Sequence, residues 1–271
     1  MVEVHTADLI SLESAGYEIA FLSHAKAILT VDFPEALIEL EQVLAGLTIP
    51  IEEIIGSGGG EAKGTQRLRR GLAAKKWVKT HFEITKTINS IPRESISHEV
   101  HHVRTFPDMR MIALEIEWNN KDPFFDRDLE NFKRLHAEGA ISVGVIITRG
   151  TSLQANMKNI VRRFVAERSI GRFEDLGAYG ISPTRRQRAA VATRMSRTRN
   201  ALSFAESWTD HFVNDKYGTA TTHWQKLEDR VHRGVGNPCP LLLIGLPQTI
   251  ITFNEGPAVM EEILDPPEKD L

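Results

Sequence analysis

Two glutamates, Glu115 and Glu117, are the residues whose type and spacing are best suited to chemistry. They fall in the stretch MRMIALEIEW, whose period-two alternation is that of a β-strand. Met111, Ala113, Glu115 and Glu117 then share one face, and Ile112, Leu114, Ile116 and Trp118 the other. Two carboxylates at i and i+2 stand about 7 Å apart at their α-carbons. On a strand that opens a buried unit they are costly, unless the face is wet or a cation sits between them. Hard Mg²⁺ takes such oxygens and keeps several waters. A further acid on the preceding strand would complete the layout of metal-dependent phosphodiester hydrolysis. There the metal polarises the phosphate, lowers the pKa of its bound water and steadies the leaving oxygen.

The preceding stretch, SHEVHHV at 97–103, also spells H-E-x-x-H through His98, Glu99, His101 and His102. That pattern binds zinc for peptide hydrolysis only on a helix, where the two histidines share a face. Pro92 and Pro107 bracket the stretch and leave too little room for a three-turn helix, and its alternation reads as a strand. A zinc peptidase is therefore the weakest reading. The single cysteine, Cys239, lies between Pro238 and Pro240 and is expected to pack rather than react.

The elements that must position these side chains are legible in outline. A helix follows Pro34, with Leu37, Leu40, Leu44 and Leu47 on one face. GSGGGEAKGT, at 56–65, is a mobile break without the G-K-[ST] ending of a phosphate loop. HFEITKTINSI, SHEVHHVRTF and MRMIALEIEW form a β-meander. A helix then starts with Asp122 as N-cap and Pro123 at the first position, buries Phe125, Leu129 and Phe132, and stops at Gly139. AISVGVIITRG is a continuous apolar, β-branched run, so 111–118 and 141–148 are expected as parallel neighbours joined by a crossover helix. Residues 153–210 are helical in tendency and arginine-rich, an apparent insertion in a single domain of 1–271. Thr222 and Gln225 form a capping box ahead of a helix burying Trp224, Leu227 and Val231, and PLLLIGLP is a last buried strand.

The 271 residues, 41% hydrophobic and 25% charged, suffice for a buried core. A net charge of -3 argues against indiscriminate coating of nucleic acid, yet basic residues cluster at 63–79 and 184–200. Such tracts suit a polyanion held at a defined surface, or else are solvated helix faces. No basic-then-apolar leader and no membrane-length apolar run is present, and one cysteine suits a reducing compartment, so a cytoplasmic location is expected.

ALEIEWNNKDPFF, VGVIITRG, KYGTATTHWQKL and CPLLLIGLP, in that order, resemble the BglII/BstYI family of type II restriction endonucleases, within the PD-(D/E)xK superfamily. The likeness runs from the helix at Pro34 to Pro247. It implies an α/β restriction-endonuclease-like core, a mixed β-sheet flanked by helices with the meander carrying the metal site. It also implies a homodimer that cuts double-stranded DNA at a short palindrome with Mg²⁺, and a cognate DNA methyltransferase in the same system. Glu117 stands where the superfamily's usual catalytic lysine would be, as in the related BamHI group. His101 stands where the family has a metal-binding aspartate. Either His101 is itself the ligand, shifting preference toward Mn²⁺ or Co²⁺, or Asp108 swings in after the Pro107 turn, or the site is inactive and the chain only binds DNA. Glu83 is an accessory ligand or base, or a plain surface acid. Asn119, Lys121 and Arg127 are candidates for holding the scissile phosphate, although Arg127 could instead pair with Glu130. The reading segment NDKYGTATTHW places Lys216, Tyr217, Thr219, Thr221, Thr222 and His223, with Lys226 just beyond, against DNA. The tract from Arg185 to Arg199 would clamp the backbone or be ordered by it.

Overall fold

A computed structural model describes residues 8–56 and 62–253 of the chain. Gly58, Gly59 and Gly60 of the expected mobile break, and the acidic C-terminal tail, lie outside the described residues.

The strands in chain order are β1 (Glu18–Leu22), β2 (Ile49–Pro50), β3 (Trp77–Ile88), β4 (Ile91–Thr105), β5 (Met111–Glu117), β6 (Val143–Arg149), β7 (Leu241–Leu246) and β8 (Ile251–Thr252). Six of them form one mixed sheet in the order β1-β7-β6-β5-β4-β3, while β2 and β8 make a separate parallel pair. The helices α1 (Ile10–Ser14), α2 (Ala25–Asp32), α3 (Pro34–Ala45), α4 (Ile51–Ile55) and α5 (Lys63–Ala74) include four of the five elements between β1 and β3. α6 (Phe124–Ala137) joins β5 to β6. α7 (Thr151–Glu167), α8 (Arg185–Met195), α9 (Phe204–Lys216) and α10 (Trp224–His232) lie between β6 and β7.

β6 is buried at every position because its apolar, β-branched run is covered on both faces. It pairs in parallel with β5 on one side and β7 on the other, so the expected crossover is present. The alternation of β5 sorts its residues between two cores. Ile112 and Leu114 pack with α3, α7 and α9, whereas Ala113 packs with Phe125, Leu129 and Phe132 of α6. That second contact is close. A β-carbon on Gly144 of β6 would lie 2.4 Å from the Phe132 ring, which is why the strand carries glycine there.

Several expected boundaries move. The helix after the break begins at Lys63, because Gly64, Leu68 and Leu72 form a buried stripe. Asp122 does not cap α6; the helix starts at Phe124, and the Asp122 carboxylate lies 3.4 Å from both Lys226 and Arg230 of α10. The Thr222/Gln225 capping box is not formed either. α10 starts after His223, Thr222 is wholly buried, and Gln225 bonds Asp229. The arginine-rich 153–210 stretch supplies core residues, among them Leu153, Met157, Val161, Phe164 and Trp208. Among the described residues no helix is long and apolar enough to cross a membrane.

Candidate active site

β5 carries Glu115 and Glu117 toward α6, the same side as Ala113, and both are buried at 5% and 2% exposure. β4 supplies His101 through an irregularity that period-two alternation cannot show. β3 pairs Val78 with Val103 but Thr80 with Val100, so three steps along β4 match two along β3. This is a β-bulge, which re-aims side chains. Val100 and Val103 both pack in the α6-side core. His101, one step along the ladder from the His102↔Leu114 pair, is turned to that side too. Its Nδ1 lies 2.6 Å from Glu115 Oε2, and its backbone N–H donates to Glu115 Oε1 at 3.2 Å. A carboxylate accepts only, so the ring proton sits on Nδ1 and the lone pair is left on Nε2. That hydrogen bond raises the pKa of His101. His102 lines the same cavity as His101, with Nδ1 3.3 Å from the Leu114 carbonyl, and burial pushes its pKa down to about 4.

Glu117 Oε2 accepts from Asn120 Nδ2 at 2.9 Å, and Arg127 Nη2 lies 3.6 Å from its other oxygen. Beneath it is Asp128 of α6, 2% exposed, whose Oδ1 accepts from Arg127 Nε and Nη2 at 2.8 Å each. No N–H or hydroxyl donor among the described residues reaches Asp128 Oδ2, and a side-chain hydrogen bond joins Asp128 to Glu117, which a protonated carboxyl can donate. Burial, then the charge of Asp128, pushes the Glu117 carboxyl well above the ordinary range. Burial, then the charge of Glu115, pushes Asp128 up as well. Glu115 and Glu117 border a cavity of about 510 Å³ whose lining also includes His101, His102, Asn119, Arg127 and, from α5, Arg69, while Asp128 lies behind that wall. An open cavity of about 540 Å³ beside α10 is lined by charged side chains of that helix, among which Lys226 and Arg230 pair with Asp122, and it holds neither glutamate of β5.

The carboxylate pair ends one strand of the sheet, and a crossover helix and two buried parallel strands follow it. Residues 17–246 match the family described as Restriction endonuclease BglII/BglIII. The chain belongs to the BglII/BglIII restriction endonuclease family. A comparison with curated proteins returned no match. Membership in the BglII/BglIII family implies a type II deoxyribonuclease that binds DNA, and the six-stranded mixed sheet flanked by helices is the restriction-endonuclease-like core expected.

Within this BglII/BglIII-type fold the structure brings His101, Glu115, Glu117, Asn119 and Arg127 together. It does not bring Asp108. That residue lies in the turn before β5, seven positions ahead of Glu115, and its carboxylate bonds Arg110 at 2.5 Å. Glu83 faces Ser97 on the exposed edge hairpin and lines no part of the cavity. Arg127 pairs with Asp128 and Glu117 rather than Glu130, which bonds Lys133. His98 and His102 lie on a strand, which removes the H-E-x-x-H zinc geometry. In the reading segment, Thr219 is exposed, while Lys216 lines a separate groove against α8 and Lys226 pairs with Asp122. Tyr217 is corrected to a core residue, 4% exposed, with its hydroxyl donating to the Ile54 carbonyl. Thr222 is buried, Thr221 spends its hydroxyl on Gly218 and Arg149, and His223 is 8% exposed. Asp128 was missed, yet 125, 128, 129, 132 and 135 form one buried helical stripe, so an acid at a core position was visible.

The residues fit a hard divalent cation. Three buried acids lie beside the Arg127 guanidinium and the His101 ring, with the Nε2 lone pair of that ring left over. Among the described residues no three His, Cys, Asp or Glu side chains are grouped to hold a metal ion by themselves. Mg²⁺ is ordinarily held at phosphate-processing sites by one or two carboxylates, with waters and substrate oxygens completing the shell.

Proposed function

We propose that the chain hydrolyses duplex DNA within a short palindrome, as a homodimer using a divalent cation, with Glu115 and Glu117 at the centre of the site. One observation carries this reading: two buried carboxylates share a cavity with the guanidinium groups of Arg127 and Arg69. Acids for a cation beside bases for a phosphodiester are what this hydrolysis requires. Glu115 and Glu117 would hold the cation, which when bound polarises the phosphate and lowers the pKa of attacking water. Arg127, stacked 4.4 Å from the Phe124 ring and gripped by Asp128, presents a fixed guanidinium to a phosphate oxygen. Asn119 adds an amide donor at the same wall. His101 keeps Nδ1–H on Glu115 and offers Nε2, which supports Mn²⁺ over Mg²⁺. Two-fold symmetry suits a palindrome cut on both strands, and a cognate methyltransferase would protect the host's own sites.

Plasmid incubated with Mg²⁺ and then Mn²⁺ tests the reading. Discrete fragments with uniform ends are expected, and sequencing those ends gives the target. Plasmid left intact with either metal overturns it. A second reading, a DNA-binding relative with weakened cleavage, has one observation in favour: the His101 ring sits directly on the Glu115 oxygen a cation would use. Retarded duplex without fragments would support that one instead.

A further inference from the structure

Arg149, the last residue of β6, is fully buried at 0% exposure. Its hydrogen-bond partners among the described residues are all neutral. Nε donates to the Trp118 carbonyl at 2.6 Å, one residue past Glu117. Nη2 donates to Thr221 Oγ1 and to the Thr222 carbonyl, both at 2.6 Å, and Nη1 to Gln154 Oε1. Gln154 of α7 passes the contact on, its Nε2 donating to the Tyr217 carbonyl at 2.8 Å. The guanidinium lies 5.1 Å from the Tyr217 ring centre. Burial lowers the Arg149 pKa to about 10, so the group remains charged at neutral pH.

A buried guanidinium without a carboxylate is expensive, and an apolar side chain would fill the same space at less cost. What the guanidinium adds is direction, since its rigid fork fixes several acceptors at once. Here those acceptors belong to the end of the carboxylate strand and to the segment beginning at Tyr217. Backbone bonds run beside it, from Thr222 N–H to the Asn120 carbonyl at 2.8 Å and from Asp122 N–H to the Ala220 carbonyl at 3.1 Å.

We propose that Arg149 is a positioning residue that locks the segment 217–223, which turns Thr219 to solvent, in register with the end of β5, so that contact with a base at Thr219 and placement of the phosphodiester over Glu117 are one rigid arrangement. The proposal rests on the nuclease reading above. Its consequence is that loosening this staple separates binding from cutting and blunts sequence discrimination.

The test uses the full chain with Arg149→Lys, which keeps the charge but loses the fork, and Gln154→Leu, which leaves Arg149 in place and removes the outer latch. Single-turnover cleavage is measured with enzyme in excess, on the target duplex and on one with a single base pair changed, alongside equilibrium DNA binding and thermal unfolding. Both variants are expected to lose about 10–100-fold in single-turnover rate on the target, the loss that small misplacement of a reacting group produces. Their affinity for duplex should hold, and the ratio of target to altered-site cleavage should fall. A purely structural role would reduce the folded fraction only; unchanged rate per folded molecule and unchanged ratio overturn the proposal. If the wild-type chain cuts no duplex, the nuclease reading fails and this proposal falls with it. If wild type cuts and the variants match it, this proposal alone fails.

Discussion

Glu117 is held where the fold alone would prefer a neutral group, buried against Asp128 with a single amide donor on one oxygen. Without a cation the Glu117 carboxyl must take up a proton to stay buried beside Asp128, so function and stability conflict at this residue. Glu117→Gln should therefore raise the metal-free stability of the protein by about 1–2 kcal/mol at neutral pH, read from denaturant unfolding, while abolishing cleavage. Lower stability in that variant would mean that the carboxylate is satisfied in a way the burial denies. Glu115→Ala should also stop cleavage but leave the fold and DNA retention intact. The acid at 115 is tied to His101, and the bulge rather than the chemistry holds that histidine in place. His101→Asp replaces the imidazole with a hard oxygen donor, so Mg²⁺-supported cleavage should rise relative to Mn²⁺-supported cleavage. An unchanged ratio would show that His101 is not a ligand.

At the scale of elements, the carboxylates are aimed by how tightly α6 lies on β6. Gly144 makes that approach possible, and Phe132 fills the space a β-carbon would take. Gly144→Ala should cost about 1–3 kcal/mol, the usual penalty for overpacking a core. Gly177, with nothing within 4 Å of an added β-carbon, is the control and should be close to neutral. Equal effects at the two sites would contradict the close packing. The β3/β4 hairpin is anchored at its base: Arg104 of β4 makes its bonds to Glu39 of α3 at 2.9–3.2 Å, and Trp77 Nε1 donates to the same carboxylate. β4 meets β5 only from His102 to Thr105, so this anchor and the bulge together set where His101 stands.

For the molecule as a whole, the small negative net charge leaves DNA attraction to local surfaces, and the cavity lined by Glu115 and Glu117 would serve one strand in each chain of the proposed homodimer. Sedimentation with a duplex bearing one target should give two chains per duplex, and a single chain per duplex would overturn the homodimer. Acid stability is governed in part by His102. Its folded pKa of about 4 lies below the ordinary 6.5, so between those values the unfolded chain binds the extra proton. Stability from this group is complete above 6.5 and is lost as pH falls toward 4. His102→Gln should flatten the dependence of unfolding free energy on pH in that window by up to about 1.4 kcal/mol per pH unit. An unaltered slope would show that His102 is not excluded from water when folded.

The sequence by itself determined the two-glutamate face of β5, the crossover through α6 to β6, and the buried runs of the central strands. Each follows from the spacing of neighbours along one element, where period two or period 3.6 decides which side chains share a face. Only the tertiary structure decided that His101 reaches Glu115, that Asp128 lies under Glu117, that Asp108 stays away, and that Tyr217 and Thr222 are buried with Arg149 between them. Those contacts depend on strand register, on one inserted residue in β4, and on the packing of segments some seventy positions apart. Local periodicity carries no information about which distant residue will fill the remaining space.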